Sequence, residues 1–146
     1  MTVKEYLRQI QTLHVKIQHR RQQAAELRQK AMSLGSPDFS SDRVQTSTDG
    51  SAIERQVAAY LDMERRAEQM AVRMEKIRDR IISEIHQLDD PNYIELLYWK
   101  YVRLKKYTEI AQETNRNADY LRHMIRKAER AFDDKYNIST KKHKRM

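Results

Sequence analysis

Residues 90–136 read DPNYIELLYWKYVRLKKYTEIAQETNRNADYLRHMIRKAERAFDDKY, and the fold turns on how this run is divided. The polar triplet Asn115-Arg116-Asn117 separates two stretches with helical patterning. Tyr107 to Thr114 (YTEIAQET) predicts a short helix with Ile110 and Ala111 as its apolar pair, the alanine small enough for a neighbouring helix to cross close by. After glycine, asparagine best tolerates a left-handed backbone, so Asn115 suits the turn. Asn117 is a good N-cap, and Asp119 then falls in a first turn, where the helix dipole favours negative charge. Over Ala118 to Tyr136, Leu121, Met124, Ile125, Ala128 and Phe132 recur every three or four residues and predict the inward face. Asp119, Arg122, His123, Arg126 and Arg130 recur at the same spacings on the other side.

A helix with one apolar and one basic stripe, entered through a tight polar turn, fits the second helix of a helix-turn-helix lying in a DNA major groove. An ordinary solvated face on a core helix would carry the same charges; the turn chemistry and the preceding YTEIA favour the DNA reading. On that reading Asn117, Asp119, Tyr120, Arg122, His123 and Arg126 face base edges. Arg122 or Arg126 suits guanine, and Asp119 can accept from cytosine. Arg103, Lys105, Lys106, Tyr107, Arg116, Lys127, Arg130, Lys141 and Lys142 are the expected phosphate contacts, which fix orientation.

Upstream, Asp90 caps and Pro91 takes the first position of a preceding helix. Ile94, Leu97, Tyr98, Tyr101 and Val102 are its expected inner stripe. Tyr93, Tyr98, Tyr101 and Tyr107 also suggest a stacking platform for single strands, but their spacing puts most of them on the inner side, as core.

These residues also carry a resemblance. Leu96-Leu97-Tyr98-Trp99-Lys100-Tyr101, Tyr107-Thr108-Glu109-Ile110-Ala111, Leu121-Arg122 and Arg126-Lys127-Ala128 together resemble region four of bacterial sigma factors, a module that reads a promoter element. Two positions depart from it. Lys106 stands where the family commonly has a capping serine, and Asn115 where it commonly has glycine. The resemblance implies a less crisp helix start and a costlier turn.

The N-terminal part is patterned differently. Thr2 and Glu5 have capping-box spacing. Val3, Ile10, Ile17, Ala24 and Ala31 then repeat every seven residues, with Tyr6, Leu13, Arg20, Leu27 and Leu34 in the second heptad position. Gly35-Ser36-Pro37 ends this helix. Asp38 to Gly50 (DFSSDRVQTSTDG) reads as a polar linker, and Ser51 with Glu54 as a second capping box. Ile53, Val57, Tyr60, Ala67, Ala71, Met74, Ile81, Ile85 and Leu88 form the next seam, widened by Leu61, Met63, Met70 and Ile77. Two heptad helices joined by a loop predict an antiparallel hairpin. Its register would bring Arg20 near Glu64, the two meeting as polar seam residues.

The expected architecture is therefore all-α: a long N-terminal antiparallel coiled-coil hairpin over 1–88, with helices about 3–34 and 52–88 and a loop at 35–50. A three-helix helix-turn-helix module at 90–136 and a basic tail at 137–146 follow. Two glycines and two prolines in 146 residues argue against an extended sheet protein. There is no cysteine, hence no disulfide framework. No apolar run approaches a membrane span and no leader pattern is present, so the expectation is a cytoplasmic protein without a membrane partner. From Pro91 to Met146 there are 14 Lys and Arg against 7 Asp and Glu, and in the rest 15 against 14. The basic excess thus lies on the C-terminal part, which favours a polyanion partner. The five histidines are dispersed, no nucleophile motif is present, and neither an enzyme nor a metal or cofactor site is expected.

Taken whole, with Val44-Gln45-Thr46-Ser47, Tyr101 and Glu109-Ile110-Ala111, the chain resembles late-gene transcription regulators of the ArpU/RinA type from phages of Gram-positive bacteria. The resemblance implies sequence-specific binding to double-stranded DNA, activation of packaging, morphogenesis or lysis genes, and a nucleoid-associated place in the host cell. RNA polymerase contact and homodimerisation through the hairpin are the further partners considered. Two readings from other classes stand beside it: an assembly protein that grips packaged DNA without regard to sequence, and a helical adaptor that binds RNA polymerase.

Overall fold

The computed structural model describes residues 1–35 and 46–140, with side chains for 1–33 and 51–140, and all regular structure among these is helical. The chain is all-α. Two compact units divide it: Met1–Leu13 with Arg73 onward, and His14–Val72.

In the first unit, α1 (Val3–Leu7) opens on the predicted capping box. The Glu5 N–H donates to Thr2 Oγ1 at 3.1 Å and the Thr2 N–H to Glu5 Oε2 at 3.3 Å. Heptad spacing predicts one unbroken helix to Leu34, but the chain turns at Arg8 and α2 runs Gln9–Gly35. The Gln9 amide donates to the Tyr6 carbonyl at 2.8 Å, and a side chain inserted into the backbone ladder is a known cause of such a break.

The next helix, α3, spans Thr46–His86 and so begins before the expected cap. Ser51 lies inside it, and the Ser51–Glu54 capping box does not exist. Extending a nucleated helix is easy, and Gly50 within it costs only about 1 kcal/mol relative to alanine. The rest of the expected linker, residues 36–45 with Pro37, lies outside the described residues. At its far end α3 tightens, with Gln87 and Leu88 donating to the carbonyls of Glu84 and Ile85.

Asp90 caps α4 (Pro91–Leu97), accepting from the Asn92 N–H at 2.9 Å. From Tyr98 to Val102 the helix widens into a π turn, closed by the Arg103 N–H on the Tyr98 carbonyl at 2.9 Å. This overturns part of the predicted stripe. Leu97, Tyr101 and Val102 are buried, but Ile94 and Tyr98 are only half-buried, and Leu96 takes a core place instead. The pairs 96–97 and 101–102 are five residues apart, the spacing of a π turn and not of an α-helix.

Leu104 follows in a left-handed conformation (φ 56), and then α5 (Tyr107–Thr114) begins. Lys106 occupies its N-cap position with no side-chain capping bond. Asn115 is left-handed (φ 54, ψ 42), and Asn117 caps α6 (Ala118–Tyr136) by accepting from the Asp119 N–H at 2.7 Å. Both helices have the predicted bounds. Leu96, Ile110, Leu121 and Ile125 form a buried cluster, with Trp99, Tyr107, Ala111 and Met124 packed against it. Each such aliphatic side chain contributes about 1.5–3 kcal/mol on burial.

Further along, α6 packs against α1, and the Phe132 ring lies between Tyr6 and Tyr136 at 5.9 and 4.8 Å. Tyr6 donates to the Glu84 carboxylate, Tyr136 to the Glu84 carbonyl, and Lys135 to the Gln87 carbonyl. The ends of the two long helices therefore belong to the same core as α4–α6, which a boundary near residue 89 does not anticipate. Nor does the ordered chain stop at Tyr136. Asn137 is left-handed, Ile138 is buried, and Ser139 donates twice to the Asp133 carboxylate, at 2.9 and 2.7 Å. Only 141–146 of the expected tail, with Lys141 and Lys142, lie outside the described residues.

In the second unit, Ile17, Ala24 and Ala31 are buried at seven-residue intervals, together with Ala67. Ile53, Val57, Tyr60, Met63, Met70 and Ala71 are half-buried, while Leu61 is 51 % exposed. Arg20 does not meet Glu64. It contacts Met63 Sδ at 3.8 Å and Gln23 Oε1 at 3.4 Å, and Glu64 is exposed. One residue along a helix turns a side chain by roughly 100°. Facing Met63 therefore leaves Glu64 pointing elsewhere.

Candidate nucleic-acid interface

The side of α6 opposite Leu121, Ile125, Ala128 and Phe132 is open to solvent. Asp119, Tyr120, Arg122, His123, Arg126, Lys127 and Arg130 are all exposed on it. Four cations and a histidine on a single helix face can meet phosphates or base edges. Several of these side chains already have partners.

Arg122 donates to Asp119 at 2.9 Å, so two of the expected base readers are paired with each other one turn apart. The pair is exposed and weak, and so open to exchange. The Arg122 guanidinium also lies 5.4 Å from the Tyr107 ring centre, and the Arg116 guanidinium 5.9 Å from the Tyr120 ring. Such cation–π contacts orient a guanidinium without satisfying its hydrogen-bond donors. The Asn117 side chain is occupied as the helix cap. Its role in the fold is structural, and reading a base would mean giving up that bond.

The basic connector is also more tied down than its sequence suggests. Lys105 reaches back to Glu113, with Nζ 2.6 and 2.8 Å from the two carboxylate oxygens, and lies 5.2 Å from the Trp99 ring centre. Arg103 and Lys106 are exposed. Tyr107 is half-buried, with Lys100 Nζ 4.2 Å from its ring centre. Burial, then Glu129, raises the Tyr107 phenol above its ordinary pKa, and Arg122, Arg8 and Arg126 oppose that shift. Lys100 and Arg122 thus lie against one aromatic ring, and the charges of Arg8 and Arg126 are felt at its hydroxyl.

Two of those cations, Arg8 and Lys100, have no counterpart among the expected contacts. Burial and the nearby Arg8 push the Lys100 amine below its ordinary pKa, while Glu129 acts the other way. Glu129 is 5 % exposed and accepts from the Tyr101 hydroxyl at 2.5 Å. Nothing near Arg8 in the sequence marks it, because its neighbours in this cluster lie more than ninety residues away.

Among the described residues no group of three or more His, Asp or Glu side chains could hold a metal ion. No described helix is long and apolar enough to cross a membrane. No protein-family model, curated protein or solved structure matches the chain.

Proposed function

We propose that this protein is a sequence-specific DNA-binding regulator of transcription. In this reading α5, the Asn115 turn and α6 act as a helix-turn-helix, and α2 with α3 form an antiparallel hairpin. The observation that carries it is the two-sided character of α6. Its apolar stripe is buried against α4 and α5, while Arg122, His123, Arg126 and Arg130 stand exposed together on the other side, just beyond a left-handed turn. A helix presented this way can enter a major groove.

The roles then differ somewhat from those expected. His123 and Arg126 are the readiest base readers, Arg122 reads a base on leaving Asp119, and Asn117 sets the start of the helix. Lys106, Arg103, Arg116, Lys127 and Arg130 hold phosphates. The resemblance to the ArpU/RinA type extends the proposal to phage late genes in a bacterial host. The hairpin is then the surface for a second copy or for RNA polymerase, and its half-buried Ile53, Val57 and Tyr60 supply apolar area for that contact.

Selection of bound duplexes from a random pool tests the reading directly. An enriched motif whose recovery is lost with Arg126→Ala supports it. Binding without enrichment moves the chain to a sequence-blind grip on DNA, and no binding at low salt overturns the proposal.

A further inference from the structure

We propose that Arg8, Lys100, Lys105 and Lys106 form a site for a phosphate group, separate from the outward face of α6. The four cations line one open concavity of about 450 Å³, with Gln11, Tyr101 and Leu104 completing its wall.

The charge balance there is uneven. No carboxylate lines the hollow, and two that act on its cations, Glu113 and Glu129, are themselves engaged. Glu113 holds Lys105 through both of its oxygens. Glu129 is buried and spends one oxygen on the Tyr101 hydroxyl. The hollow is thus lined by four cations and no carboxylate, with Lys105 paired to Glu113 outside the lining. Like charges brought together in a partly desolvated place repel, and an anion bound between them relieves that repulsion. Burial first, and then the charge of Arg8, lowers the Lys100 pKa, so Arg8 is felt at this amine.

The backbone is shaped to suit. Leu104 adopts a left-handed conformation that residues with a Cβ resist, and strain of this kind collects at functional sites. It bends the chain between the π turn and α5, where Lys105 and Lys106 join Lys100 at the hollow. Arg8 arrives from the break between α1 and α2 and adds a planar fork suited to phosphate oxygens. Gln11 contributes an uncharged amide. The hollow therefore matches a phosphate in charge and in donor type, and it is roomy enough to admit one as part of a larger molecule.

The occupant is a phosphate of a nucleic-acid backbone or a free phosphate compound. Calorimetric titration of the full-length protein with inorganic pyrophosphate, at matched ionic strength and without DNA, reads the site by itself. Binding should weaken at least tenfold in the Arg8→Gln/Lys100→Gln double variant. It should be unchanged in Arg28→Gln/Lys30→Gln, which removes the same charge from an exposed stretch of α2. Circular dichroism checks that both variants fold. Equal binding by the Arg8/Lys100 variant and wild type, equal losses in the two variants, or no binding by wild type each overturns the site. A short duplex that displaces pyrophosphate identifies the occupant as a backbone phosphate, and a duplex that binds alongside it identifies a free one. Because the first titration contains no DNA, the site can fail while DNA binding stands, and the reverse.

Discussion

Tyr101 donates its hydroxyl to Glu129 at 2.5 Å, joining the π turn to the one charged side chain that is buried among the described residues. The bond holds the start of the basic connector against the middle of α6. Tyr101→Phe leaves a buried carboxylate oxygen without its donor, a loss of about 1–3 kcal/mol. Urea unfolding should show a lower midpoint with an unchanged slope. An unaltered midpoint would mean that the bond contributes nothing to the fold.

The same phenol sets a pH dependence. Burial, with the Glu129 hydrogen bond next in size, raises the Tyr101 pKa well above the ordinary 10.0, and burial with the Glu84 bond does the same for Tyr6. A raised folded-state pKa contributes stability that is fully present below the unfolded value and is lost as pH rises past it. The protein should therefore lose stability above about pH 10 as unfolded tyrosines ionise. Lys100, shifted downward, works in the opposite sense, so the informative comparison is wild type against Tyr101→Phe. Unfolding midpoints between pH 8 and 11 should fall less steeply in the variant (the range is set around the ordinary phenol value of ~10). Parallel curves would exclude Tyr101 as a source of the alkaline loss.

Asn115 is left-handed between α5 and α6, with its N–H on the Ala111 carbonyl. Glycine holds this conformation without a Cβ penalty, so Asn115→Gly should be neutral or stabilising, whereas Asn115→Ala should cost about 1 kcal/mol. Thermal midpoints of the three proteins give the order. Alanine matching asparagine would mean that the turn relaxes out of the left-handed region.

Asp119 and Arg122 form an exposed pair at 2.9 Å on the face proposed to read DNA. Asp119→Asn removes a charge that repels phosphate and frees Arg122, so affinity for random duplex should rise. Arg122→Ala should cost about 1–3 kcal/mol on a selected site and much less on random sequence. Equal losses on both duplexes would assign Arg122 to the DNA backbone.

What was legible in the sequence was local. The bounds of α5 and α6, the Asn117 cap, the left-handed Asn115 and the Thr2–Glu5 capping box each depend on residues within one helical turn of one another, and their chemistry is visible in the string. The seven-residue burial of Ile17, Ala24 and Ala31 is a property of helix periodicity and was equally plain. Elsewhere a good local signal does not prevail. Ser51 had good capping chemistry, yet α3 begins upstream of it. Ile94 and Tyr98 had the right α-helical spacing, but the π turn brought Leu96 inward in their place.

The sequence by itself determined the all-helical class, the division at Asn115 and the sidedness of α6, because helix propensity, capping and amphipathic period act over three or four residues. Only the tertiary structure decided which charges meet. Arg8 joins Lys100, Lys105 turns to Glu113, and Glu129 is buried on Tyr101, because those partners are chosen by packing, in the case of Arg8 and Lys100 between segments more than ninety residues apart. A charge shows its sign in a sequence, but its neighbours, and so its chemistry, come from the fold.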